Sequence, residues 1–234
     1  MTDPTIQAPA GPPPDATGDI VVSFSEVDAM VRKAARGAGY AWGMAEEAGR
    51  AARWLVAHGT EGPTLFNDLL TLVDGRTEEF TPDVSRSPWM SASGVICPVS
   101  AGAALSDRAA NFAAGSTLAL GETAFPVVLA PFLTWIASTR NLTIVIKAGG
   151  ASAKLHAAGQ SQEGLEDLAR VDRGAVNLTL FAVSSGSMLE KSSRGVPVEV
   201  GRWRRLSDFA ARTYVPTNEQ SRRSGAGAGT SDND

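Results

Sequence analysis

Cysteine is nearly absent: Cys97 stands alone in 234 residues, so no intramolecular disulfide can form and the chain suits a reducing, cytoplasmic setting. A zinc site built on several thiolates is excluded with it. Histidine is almost as scarce. His58 and His156 are far apart in sequence and do not make the pair three or four residues apart that a helical metal site uses, so no metal is expected. No sequence feature calls for an organic cofactor: Ala148-Gly149-Gly150-Ala151 lacks both the glycine spacing and the Lys-Ser or Lys-Thr of a phosphate loop. Long apolar runs are missing too. The longest, 125–137, is broken by Pro126, Pro131 and Thr134 and is too short to cross a bilayer, so no membrane partner is expected. Nor is there a positive excess: 21 Lys and Arg against 25 Asp and Glu give a formal charge of −4, which argues against a nucleic-acid surface. The one local basic cluster, Gly201-Arg202-Trp203-Arg204-Arg205, reads either as an amphipathic strand edge or as an aromatic residue set among arginines to stack on a base.

A hydrophobic content of 43% supports a substantial core and a single domain at this length. Residues 1–18, with five prolines and neither a basic start nor an apolar run, read as a disordered tail and not a secretory signal. The domain is then expected over 19–216. Its first third reads as three short helices. Ser25 is a candidate cap for the first, whose stripe of Val27, Met30, Val31, Ala34 and Ala35 ends near Gly37 and Gly39. The second carries Met44, Ala48, Ala51 and Leu55 on one face and stops around His58-Gly59. His58 there reads as a helix-terminus residue whose cationic form favours the dipole. The third starts near Pro63 and carries Leu65, Phe66, Leu69, Leu70 and Val73 as far as Gly75.

From Ser93 onward, short apolar and β-branched runs separated by Gly, Ser, Asn and Pro read as strands and turns. Residues 142–147 and 152–156 flank Gly149-Gly150 as a hairpin, with a strand over 132–137 turning into it through Thr139-Arg140-Asn141. Residues 176–183 alternate like a half-buried strand, a short helix carries Leu165, Leu168 and Val171, and a last helix covers 206–213. The fold class is therefore α+β: a three-helix N-terminal segment packed on a mainly antiparallel sheet, with a short C-terminal helix and a Gly-rich tail.

The richest chemistry lies on the second helix, which packs two tryptophans, two glutamates and two arginines into 42–54. Glu47, Arg50 and Trp54 share a face at helical spacing, with Glu46 and Arg53 at its margins. That face holds a small charged ligand or is an ordinary exposed face of Glu–Arg pairs. Read as a site between the helix and the sheet, it makes Glu46 or Glu47 the general acid or base, with the carboxyl pKa raised by partial burial beside Trp42 and Trp54 and the anionic end of the substrate on Arg50. His156, alternating with Leu155 in its strand, is a further acid–base candidate or a structural histidine. Cys97, in the apolar run Gly94 to Val99 with no basic neighbour, reads as a packed strand residue. Ser184-Ser185-Gly186-Ser187 reads as an anion-binding turn or a plain loop. In the C-terminal arm, 217–234, Arg222 and Arg223 offer planar forks for carboxylate or phosphate, and Gly225 and Gly227 allow close backbone approach.

Ser25-Glu26-Val27, Lys33-Ala34-Ala35-Arg36-Gly37-Ala38-Gly39, Trp42-Gly43 and Ala45-Glu46-Glu47-Ala48-Gly49-Arg50-Ala51 form one group of motifs. With Tyr214-Val215-Pro216, Ser221-Arg222 and the run Gly225 to Gly229, they resemble a bacterial family known only as a domain of unknown function. The resemblance spans nearly the whole chain after the Pro-rich start. It carries no established activity, and it implies that the C-terminal run belongs to the domain, which strengthens Arg222, Arg223 and the glycines, together with Glu46, Glu47 and Arg50, as site residues. The expected function is a hydrolase- or lyase-like enzyme acting on a small carboxylate or amide by acid–base chemistry. A non-catalytic subunit of a larger enzyme and a small-molecule binding module stand as alternatives, with homo-oligomerisation open.

Overall fold

A computed structural model describes residues 17–183 and 195–214. Residues 1–16 of the N-terminal tail, the Ser184–Ser187 turn and the C-terminal arm lie outside the described residues.

Strand β1, Asp19–Val22, leads into α1, Phe24–Gly37. The cap is Ser23, two residues before the expected Ser25. Its hydroxyl accepts from the Glu26 amide and the Glu26 carboxylate accepts from the Ser23 amide, a reciprocal capping box. Helix α2, Trp42–Ala57, buries Ala45, Ala48, Gly49, Ala51, Ala52, Leu55 and Val56, so the stripe read from sequence faces the core with only Met44 part-exposed. Small side chains let α1 and α2 approach closely: a Cβ on Gly49 would stand 2.7 Å from Asp28 Oδ1 and 2.8 Å from the Asp28 carbonyl. Gly59, at φ +79°, turns the chain after the helix. Helix α3, Gly62–Val73, has Pro63 in its first turn and buries all five apolar residues expected of it.

Two further helices replace expected strands. The run around Cys97 is not a strand: Cys97 is the N-cap of α4, Pro98–Asp107, and its buried thiol lies 3.1 Å from the Tyr40 hydroxyl. Residues 132–137 belong to α5, Ala130–Arg140. Pro131 occupies its first turn, where the missing amide costs nothing, and Asn141 ends it at φ +54°. Phe132, Leu133, Thr134, Ile136 and Ala137 are all buried, so α5 has almost no polar face to betray its period.

The main sheet is antiparallel with order β2-β5-β3-β4, from β2 (Thr117–Ala124), β3 (Leu142–Ala148), β4 (Ala151–Leu155) and β5 (Arg173–Ala182). The expected hairpin forms between β3 and β4 across Gly149-Gly150, whose φ values are +55° and +85°. Register places Ile144 opposite Leu180, Ile146 opposite Leu178 and Ala148 opposite Val176, all buried on one face. The short helix α6, Leu165–Ala169, closes over β4. Strand β6, Val196–Glu199, pairs antiparallel with β1 and feeds α7, Val200–Ala211. The Gly201–Arg205 cluster is therefore helical and not a strand edge. Glu199 caps it by accepting from the Gly201 and Arg202 amides, and Arg202 pairs with Asp68 on α3. Helix α7 lies tightly on α1, where a Cβ on Gly37 would stand 1.7 Å from the Phe209 carbonyl oxygen. One contiguous apolar core runs from Val22 through both helical groups and the sheet to Phe209. The fold is α+β, with antiparallel pairing throughout its named strands.

Candidate functional site

The Glu47–Arg50–Trp54 face of α2 opens onto a cleft of about 490 Å³. Its opposite walls are helical. Ser106 and Asp107 come from the end of α4, and Pro131, Phe132, Thr134 and Trp135 from α5. The expected position between α2 and the sheet is thus corrected: α5, misread as a strand, stands where the sheet was placed. Ala158, beyond β4, contributes at the rim.

Arg50 donates to Glu47 Oε1 within the helix. The pair is part-exposed, with the Arg50 side chain 64% and the Glu47 side chain 35% accessible, so it contributes well under 1 kcal/mol to stability. Only one of the five guanidinium donors is used in this contact. Asp107 is exposed and makes no ion pair among the described residues. Ser106 spends its hydroxyl on the Gly102 carbonyl. Thr134 is 1% exposed, and its Oγ1 has no hydrogen-bond partner among the described residues. A buried hydroxyl left in that state is costly, by about 1–3 kcal/mol. Trp135 is half-exposed at the mouth.

Trp54 also stacks on His58, with ring centroids 3.7 Å apart and planes 20° from parallel. His58 Nδ1 lies 2.8 Å from the Trp54 carbonyl oxygen, which can only accept, so Nδ1 carries a proton. Desolvation pushes the His58 pKa below its usual value of 6.5, against the smaller opposing effect of that carbonyl. The expected dipole-stabilised cation is corrected accordingly: at neutral pH His58 is an uncharged stacking partner. Its Nε2 is buried without a partner among the described residues, beside a second, more polar cavity that includes Gln162, Glu166 and Asp167.

The other sequence candidates are dispersed. Glu46 is exposed and does not line the cleft. Trp42 is 66% exposed, with the Arg36 guanidinium 4.6 Å over its ring. His156, just past β4, is buried, with Nε2 3.3 Å from Glu163 Oε1, and it too is absent from the cleft wall. Arg222, Arg223, Gly225 and Gly227 lie outside the described residues. The sequence reading missed Asp107, Thr134 and Trp135. One signal for Asp107 was local, because an acidic residue ends α4 where a basic one suits the dipole, but it is visible only once α4 is recognised as a helix.

Among the described residues no group of His, Cys, Asp and Glu is arranged to hold a metal ion, and no helix is long and apolar enough to cross a membrane.

Comparison with protein families bears on the helical part of the chain. Residues 22–94 match the family described as protein of unknown function (DUF3726). This bears out the resemblance to a family of unknown function over the N-terminal motifs, while Tyr214-Val215-Pro216, Ser221-Arg222 and the run Gly225 to Gly229 lie beyond the match. The DUF3726 match takes in α1, α2 and α3, hence Glu47, Arg50 and Trp54, while α4, α5 and the far wall of the cleft lie beyond it. No curated protein and no solved structure matches the chain.

Proposed function

We propose that the cleft between α2, α4 and α5 takes a small polar metabolite bearing a carboxylate or an amide, with Arg50 as its anchor and Glu47 as the acid–base group. The observation that carries this reading is the convergence of the charged α2 face with Phe132, Thr134 and Trp135 on one concavity. Its size, about 490 Å³, suits a metabolite, and aromatic walls with a few polar groups are the usual makeup of such a site. Arg50 has donors to spare for a carboxylate fork. Glu47 gives one oxygen to Arg50, and its Oε2 has no protein partner among the described residues and is available for proton transfer. Hydrolysis, elimination and isomerisation each use such a proton-transfer group beside the bound substrate.

The test is a thermal-shift screen of small carboxylates and amides on the intact protein, followed by turnover assays on each ligand found. A stabilising ligand lost in Arg50→Gln supports the site, and turnover lost in Glu47→Gln with binding retained supports the acid–base role. Ligands that stabilise Arg50→Gln as well as the parent refute the assignment.

A second reading, a subunit of a larger enzyme, is favoured by Trp42. This exposed indole backed by Arg36 combines the two residue types most enriched at interface hot spots. Native mass spectrometry of the untagged protein separates the readings: a stoichiometric partner lost in Trp42→Ala supports the subunit, and a homogeneous active species contradicts it.

A further inference from the structure

The charges on the cleft wall do not balance. Glu47 and Asp107 contribute two negatives and Arg50 one positive, so the concavity is net negative by one. Glu47 and Arg50 offset each other's charge within α2 through one contact, whereas Asp107 has no cation among the described residues. Asp107 is also the last residue of α4, where the unpaired carbonyls and the negative end of the dipole disfavour an anion. Nothing in the helix explains a carboxylate there. The cleft beside it is lined by Trp54, which has His58 stacked on one face, by Trp135 and by Phe132, and aromatic rings of this kind attract a cation. Thr134, whose buried hydroxyl has no partner among the described residues, belongs to the same wall.

We propose that the ligand is zwitterionic, of the amino-acid class: its ammonium group lies at Asp107 against the indoles and its carboxylate lies on Arg50. The inference rests on the carboxylate reading above and adds the second pole. A plain carboxylate entering this net-negative cleft meets repulsion from Asp107 that the ammonium group of a zwitterion turns into attraction. A plain amine leaves the spare Arg50 donors unused. Only a molecule with both charges satisfies both ends without adding net charge to the site.

The experiment titrates the intact protein by calorimetry with the twenty L-amino acids, and then with the N-acetyl and carboxamide counterparts of the tightest binder. Asp107→Asn and Arg50→Gln are run beside the parent, with circular dichroism as a check on folding. Both are surface positions whose substitution leaves the core untouched. The expected result is that N-acetylation weakens binding at least tenfold in the parent and makes little difference in Asp107→Asn, while the carboxamide loses affinity in the parent and not in Arg50→Gln. If N-acetyl amino acids bind as tightly as free ones and Asp107→Asn changes nothing, the zwitterion inference falls while the carboxylate reading stands. If simple amines bind as well as amino acids and Arg50→Gln has no effect, both fall. If neither series binds, both are likewise overturned.

Discussion

Gly102→Ala should loosen the packing of α4 on α5. Gly102 lies inside α4 facing α5, and a Cβ built on it would stand 2.3, 2.4 and 2.7 Å from Cδ2, Cγ and Cε2 of Phe132. Carbon atoms in contact settle at about 3.5–4.0 Å, so in Gly102→Ala the ring must move by more than about 1 Å or the two helices must part. The core behind Phe132 is closed, since Ile136, Leu133 and Leu105 are fully buried. The room lies in the cleft that Phe132 lines. Overpacking of this kind costs about 1–3 kcal/mol, and an available void puts the expectation at the lower end, about 1–2 kcal/mol. The gain in helix propensity from Gly to Ala offsets up to about 1 kcal/mol of that. The net loss is of order 1 kcal/mol, or about 2–4 °C in Tm for a chain of this length. The larger effect is on ligand binding, because the displaced ring occupies the site. Gly43→Ala is the control: it lies in α2 with nothing within 4 Å of the new Cβ, and should be neutral or stabilising by about 0.5 kcal/mol. Thermal melts and ligand titration of both variants decide the matter. A Gly102→Ala protein that melts at or above the parent and binds ligand normally refutes the packing described between α4, α5 and the cleft.

Other consequences follow from the same structure. Ser23→Ala removes the capping box of α1 and should cost about 1 kcal/mol in chemical denaturation; an unchanged midpoint contradicts the cap. Burial lowers the His58 pKa, so the unfolded chain takes up this proton more readily than the folded one. Its contribution to stability is complete above about pH 6.5 and is lost as the pH falls through the folded-state value. The difference in Tm between parent and His58→Gln should therefore vary between pH 7.5 and 5, with the parent losing more on acidification; parallel curves refute the burial argument. Trp135→Ala, at a side chain 51% exposed, should cost no more than about 1–2 kcal/mol of stability while weakening any ligand of the cleft. A large stability loss with binding intact would make Trp135 a packing residue.

The helices read correctly from sequence were those with a polar face and clear punctuation. In α2 the charged residues at 46, 47, 50 and 53 leave the buried alanines and Leu55 standing out as a stripe, and Gly59 marks the stop. Helix α5 has no such contrast: Thr134 is buried beside Phe132, Leu133 and Ile136, and a run buried on nearly all sides looks the same at period 2 and period 3.6. Helix α4 hid behind Val95, Ile96 and Val99, residues that favour strands, although Pro98 was a start signal in hindsight. Strands β1 and β6 are four residues each and pair across 174 or more positions, which no local pattern records. The same division applies to the site. Glu47, Arg50 and Trp54 share one helix face, so their spacing brought them together on paper. Asp107, Thr134 and Trp135 join them only because α4 and α5 pack against α2, and the local pattern of the start of α4 and of 132–137 resembles strand.

The most direct test of the central claim is a crystal structure of the intact protein with its tightest-binding amino acid or carboxylate. Ligand density is expected between Arg50, Trp54 and Trp135, with the carboxylate on the Arg50 guanidinium and any amino group toward Asp107. Density in the His58 cavity or elsewhere, with the α2–α4–α5 cleft empty, would contradict that claim.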